Sequence, residues 1–135
     1  MPAQHAHEED EAVKPTVLAV EDVVLARLLV AAYLQESGFR VIEAGSGEEA
    51  VRILSAKTSV DVVFSDVNMP GPVDGLGLAQ WVQQNRPDVK VVLGSGVTGA
   101  AEKAAALGYK EAIILKPYDR RVLERRLRAA LARKC

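Results

Sequence analysis

The sequence predicts an α/β protein built from βα units around a parallel sheet, and three observations carry that expectation. From Pro15 onward, short apolar runs alternate with longer segments of helical period. Five such repeats can be counted. Most of the runs are continuously apolar rather than alternating, as strands covered by helices on both faces are. A chain of 135 residues is long enough for one hydrophobic core, so a single domain over residues 15–135 is expected after a flexible N-terminal tail, 1–14.

The strands are predicted at Thr16–Val20, Phe39–Glu43, Asp61–Ser65, Lys90–Leu93 and Ala112–Leu115. After the first, Leu25, Leu28, Leu29 and Ala32 recur at i, i+3, i+4 and i+7, one apolar stripe of the kind that faces a core, and Ser37-Gly38 ends the helix. Asp22, just ahead of it, suits an N-cap. Ser46 with Glu49 reads as a capping box opening a second helix through Ala56. A third begins near Asp74 and ends before Pro87. The fourth segment, Val97–Leu107, holds Gly99 and a run of alanines; with little bulky surface to anchor it, it is the element expected to move most easily. The last helix, Asp119 to about Arg133, keeps Leu123, Leu127 and Leu131 on one face.

Composition narrows the function classes. With 17 basic and 18 acidic residues, nothing global points to nucleic acid or an anionic membrane. The lone cysteine, Cys135, rules out an internal disulfide and fits a reducing cytoplasm. The first residues carry His5, His7 and the acidic run Glu8 to Glu11, with no apolar stretch of signal-peptide or membrane-span length, so a soluble, cytoplasmic protein is expected and the two histidines read as solvated linker. No linker or second composition zone follows the fifth helix, so an attached output domain is not expected.

In an open parallel sheet the functional crevice lies beyond the carboxyl ends of the strands. Strand one ends in Glu21-Asp22, strand three in Asp66-Val67-Asn68, strand four in Gly94-Ser95-Gly96 and strand five in Lys116-Pro117. If those strands are neighbours, three carboxylates, a hydroxyl and an ammonium converge on one pocket. Carboxylates brought together repel unless protons or a cation neutralise them. All the available ligands are oxygens, which favours a hard ion of the Mg²⁺ type over Zn²⁺ or Cu²⁺. Phosphoryl-transfer sites use such an ion to neutralise the transferring group. Asp66 as a mere strand-ending turn residue would leave the acidic pair and the lysine at matching strand ends unexplained.

The set Glu21-Asp22, Asp66, Asn68-Met69-Pro70, Ser95 and Lys116-Pro117 resembles the response-regulator receiver domain of two-component signalling, over about Pro15 to Arg133. The resemblance implies a flavodoxin-like (βα)5 fold, a five-stranded parallel sheet of order 2-1-3-4-5 with helices on both faces. It implies Asp66 as phosphoacceptor, with phosphate delivered by a sensor histidine kinase or a histidine phosphotransfer protein. Asp22 and Asp66 would bind Mg²⁺ directly, Asn68 through its backbone carbonyl and Glu21 through water. Lys116 would pair with the phosphoryl group, and Ser95 would move towards it, coupling the chemistry to the fourth helix. Signalling would pass through the face shared by the fourth helix, strand five and the fifth helix, to a downstream protein or a second copy in a homodimer. The resemblance thus implies a switch rather than an enzyme.

Three departures accompany the resemblance, the first being the tail before Pro15, which has no counterpart in the minimal domain. Ile113 stands where the family has Tyr or Phe three residues before the lysine, so the resemblance does not extend to the aromatic rotamer switch. The loop Met69-Pro70-Gly71-Pro72-Val73 is one residue longer than usual, its prolines and glycine stiffening a lip of the site. Other readings are weaker. An aspartyl-phosphate phosphatase resembles its family in carrying two aspartates spaced by one residue at strand one, unlike Glu21-Asp22; a phosphorylation-independent docking domain remains an alternative. A nucleotide or flavin module would need a glycine-rich loop after strand one, where Val20-Glu21-Asp22-Val23 stands. The arginines of the last helix, Arg120 to Arg133, flank a core stripe, with Glu124 placed to pair with Arg128, so no direct nucleic-acid contact is expected. Trp81 reads as a partly buried packing residue.

Overall fold

A computed structural model of the chain describes residues 14–96, 102–103, 105–109 and 112–133. Five parallel strands form one sheet: β1 (Thr16–Val20), β2 (Arg40–Ala44), β3 (Val62–Asp66), β4 (Lys90–Ser95) and β5 (Ile113–Leu115), ordered β2-β1-β3-β4-β5. Helices α1 (Val24–Glu36), α2 (Gly47–Ser55) and α3 (Gly75–Asn85) follow the first three strands, and a last helix spans Arg120–Ala132. This is the flavodoxin-like architecture that the sequence implied. Of the predicted fourth helix, residues 102, 103, 105 and 106 are helical, and the rest of Val97–Leu107 falls largely outside the described residues. The tail carrying His5 and His7 lies outside them too, as does Cys135.

The continuous apolar strands have a simple cause. Side chains alternate across a strand, and here both sets of alternate residues are buried. Leu18, Val20 and Val63 pack with Ala50, Leu54, Leu78 and Val82 under α2 and α3. Val17, Val62, Phe64, Val92 and Ile114 pack with Leu34, Leu123 and Leu127 under α1 and the last helix. Trp81 packs at the margin of the first of these cores, half-buried as its sequence context predicts.

Local punctuation fixes the helix starts. Ser46 Oγ accepts from the Glu49 N–H at 3.1 Å, as in a capping box. The return arm differs: Glu49 Oε1 takes the N–H of Gly45, one residue further out. Asp74 Oδ1 caps α3 by accepting from Gly77 N at 2.8 Å, and Asp119 Oδ1 accepts from Arg121 N at 2.7 Å at the start of the last helix.

Two expectations are overturned. The stripe Leu25, Leu28, Leu29, Ala32 faces solvent, with the three leucines 66%, 50% and 64% exposed. The inward stripe is Arg27, Val30, Ala31 and Leu34. Nearly every α1 residue is apolar, so period alone describes two stripes equally well; the wedge of Leu34 against Val17 and Phe39 selects one. Asp22 is not the N-cap either. Val23 holds that position without a side-chain cap, and Glu21 Oε2 accepts the Val23 N–H at 3.2 Å. Glu21 is the residue with the reach to turn back onto the helix start, which leaves the Asp22 carboxylate exposed.

Candidate functional site

The strand order places the site. The chain winds outward from β1 in one direction to β2 and in the other through β3 to β5, so the connections diverge at the carboxyl ends of β1 and β3. Asp66 ends β3 in register with Gly94, and Glu21-Asp22 follow β1. Ligand oxygens of Glu21, Asp22 and Asp66 all lie within 4.8 Å of one another. Lys116 Nζ donates to Asp66 Oδ1 at 2.8 Å from the far side. Its own N–H bonds the Ser95 carbonyl at 2.8 Å, which continues the β4–β5 ladder and aims the lysine across Gly94 and Gly96 towards Asp66. The Lys116–Pro117 peptide is cis.

Ser95 and Asn68 complete the inventory. Ser95 ends β4 and is 1% exposed. Asn68 is exposed on the stretch after Asp66, where Val67 N–H bonds the Gly94 carbonyl at 2.9 Å and prolongs the ladder past the aspartate. In the long loop, Met69 is buried and Gly71 takes the left-handed backbone region at φ 98°, which suits a residue without a side chain. Glu48 lies against Gly71 from the opposite wall.

The electrostatics stem from this crowding. Burial holds the Glu21 carboxyl above its ordinary value; the Val23 N–H opposes that, a hydrogen bond with Asp22 and the Asp66 charge add to it, and Lys116 counters. Burial likewise pushes the Tyr118 phenol up to about 12, with the charges of Asp66 and Glu21 acting the same way. Donors that are all oxygen, clustered at this spacing, suit a hard divalent cation, with Lys116 supplying part of the neutralisation.

Three neighbours of the site are not legible in the local sequence pattern. Gly75 approaches β3 so closely that a Cβ there would lie 2.2 Å from the Asp66 carbonyl oxygen, and its N–H bonds the Val67 carbonyl at 2.9 Å. Tyr118 packs edge-on against Phe64, beside Asp66 and Lys116. Arg27 turns inward from α1 to the backbone of Glu21. A basic residue in the body of an otherwise apolar helix was the one available signal for Arg27.

The sequence matches the response regulator receiver domain family over residues 17–128. It is 35% identical over 111 residues to a probable chemotaxis protein CheY of Rhizobium etli, covering 78% of this chain and 83% of that protein. It is 36% identical over 88 residues to the autoinducer 1 sensor kinase/phosphatase LuxN of Vibrio campbellii, covering 65% of this chain but only 10% of that protein's length. Among solved structures, a response regulator receiver protein from Sinorhizobium medicae superposes with a TM-score of 0.82 at 26% identity, over 91% of this chain and 99% of that one.

Proposed function

Because the chain belongs to the response regulator receiver domain family, we propose that it takes a phosphoryl group on Asp66 from the phosphohistidine of a sensor histidine kinase or phosphotransfer protein. Receiver domains are signalling proteins of two-component systems and bind Mg²⁺ at an acidic pocket. The observation that carries the proposal is the grouping of Glu21, Asp22 and Asp66 within 4.8 Å, with Lys116 at 2.8 Å from Asp66.

In the proposed chemistry, an Asp66 carboxylate oxygen attacks phosphorus in line with the departing imidazole. The O–P bond forms as the P–N bond breaks, and the bonding pair leaves with the imidazole nitrogen. Lys116, already held by the carboxylate, passes its hydrogen bond to a phosphoryl oxygen. The Ser95 hydroxyl donates to a second, and that movement carries the change into the fourth helical segment. Asp22, Asp66 and the Asn68 carbonyl would hold Mg²⁺ directly and Glu21 would act through water; bound there, the ion would neutralise the transferring charge. A structurally similar response regulator from Thermotoga maritima, 24% identical, was solved in complex with Mg²⁺ and BeF, which supports Mg²⁺ as the ion.

Two surfaces support the partner assignments. The exposed leucines of α1 begin three residues after Asp22, which supports that face, beside the acidic turn, as the docking surface for the phosphohistidine donor. Leu107, in the fourth segment, and Leu115, at the end of β5, are both exposed, which supports an output surface there for a downstream protein or a second copy. Among the described residues no helix is long and apolar enough to cross a membrane.

Intact mass after incubation with acetyl phosphate and Mg²⁺ tests the chemistry. One phosphoryl adduct on the wild type, absent from Asp66→Asn and lost on chelation, is the expected result. Continuous release of phosphate from an ester substrate would instead establish a phosphatase.

A further inference from the structure

Arg27 sits where an apolar residue belongs. It lies one turn ahead of Val30 and Ala31 and two ahead of Leu34 on the inward stripe of α1, and its side chain is 19% exposed. Arginine is rarely buried without partners. Its partners here are specific: Nη1 donates to the Glu21 carbonyl at 3.0 Å, and Nε donates to Glu43 Oε1, at the end of β2, at 3.2 Å. The guanidinium therefore ties α1 to both β2 and the acidic turn.

The peptide backbone of Glu21 is gripped on two sides. Its N–H bonds the Ala44 carbonyl at 3.0 Å, continuing the β1–β2 ladder, while its carbonyl takes Arg27. The surroundings are shaped to the guanidinium. A Cβ on Gly45 would stand 3.2 Å from Nη1, so glycine leaves the head group room, and the Glu49 carboxylate fastens that glycine's N–H. With Glu21, Asp66, Lys116 and Tyr118, Arg27 lines a narrow cavity of about 20 Å³ behind the acidic group.

We infer that Arg27 is a positioning residue for cation binding, acting through the Glu21 carbonyl and buttressed by Glu43, rather than a ligand or a donor-contact residue. The inference rests on the Mg²⁺ reading above. A ligand pair on a turn must be held at fixed separation from Asp66, which stands on a different strand. Because Glu21 and Asp22 share that turn, freeing the Glu21 carbonyl lets both carboxylates swing. A fork that spans β2 and the turn does what a single point charge cannot.

The test measures Mg²⁺ affinity by calorimetry and backbone amide shifts of residues 21–23 in metal-free protein, on wild type, Arg27→Ala, Arg27→Lys and Glu43→Gln. Arg27→Ala is expected to weaken Mg²⁺ by about tenfold, as loss of ligand-orienting contacts does elsewhere. Its phosphorylation rate at saturating Mg²⁺ is expected to stay within about twofold of wild type, since the fault lies in assembling the site and not in the transfer. Arg27→Lys keeps the charge but not the fork, and is expected to share the loss. Glu43→Gln keeps an acceptor for Nε, and is expected to retain most of the affinity. The amide shifts are expected to move in both Arg27 variants. Full affinity in Arg27→Lys would overturn positioning in favour of simple charge, and wild-type affinity with unmoved amides in folded Arg27→Ala would overturn any role. If wild type itself binds no Mg²⁺, the metal reading fails and this inference with it; if wild type binds and Arg27→Ala binds equally, this inference alone is lost.

Discussion

Lys116 reaches Asp66 from backbone bonded to β4, and its ammonium compensates a cluster in which Glu21, Asp22 and Asp66 would otherwise repel. Lys116→Met is therefore expected to melt lower than wild type in chelator and to gain more from Mg²⁺, because the cation takes over the missing charge. Equal gains in the two proteins would contradict that account. Gly75→Ala should cost at least about 2 kcal/mol and disturb Asp66, since the new Cβ must displace the Asp66 carbonyl, 2.2 Å away. Denaturant midpoints of the two proteins measure it. Tyr118 makes a third case. Its phenol is pushed up to about 12 from 10.0, so the folded protein holds that proton longer than the unfolded chain does. Stability from this group is present below pH 10 and is lost as pH rises from 10 towards 12. Absorbance titration should show a late-ionising tyrosine that disappears in Tyr118→Phe.

At the scale of the element, α1 carries a packed face and an exposed one. The inward face fixes the helix to the sheet through Ala31 and Leu34, while Val24, Leu25, Leu28 and Leu29 remain exposed beside the acidic turn. Leu25→Glu with Leu28→Glu should leave the melting temperature almost unchanged, because exposed sites usually contribute within about 0.5 kcal/mol. Phosphorylation by a small-molecule donor should be kept and phosphorylation by a histidine-containing protein donor should fall. Equal rates from both kinds of donor in the variant would remove the docking role of this face. The helix starts are more local matters. The bond of Ser46 Oγ to the Glu49 N–H predicts a loss of about 1 kcal/mol in Ser46→Ala, without effect on Mg²⁺ affinity.

For the whole molecule, a cation that binds only the folded chain raises stability by mass action. At a hundredfold excess over its dissociation constant, Mg²⁺ should raise the melting temperature by about 10 °C. Asp22→Ala should lose most of that gain. The sequence carried the sheet and most of the site, because continuous apolar runs mark strands covered on both sides and because the carboxyl ends of parallel strands face one crevice. Asp66, Lys116 and Glu21-Asp22 were legible for that reason. Strand limits shifted by only a residue or two, as Asp66 and Ser95 proved to be the last rungs of the ladder and not residues beyond it. The succession of elements and the residue types at each strand end are written in local pattern. Packing had to select which stripe of α1 turned inward, that Glu21 and not Asp22 met the helix start, and that Arg27 and Gly75 closed on the acidic turn and on Asp66. Those outcomes depend on distances between segments far apart in the chain, and no local periodicity encodes them.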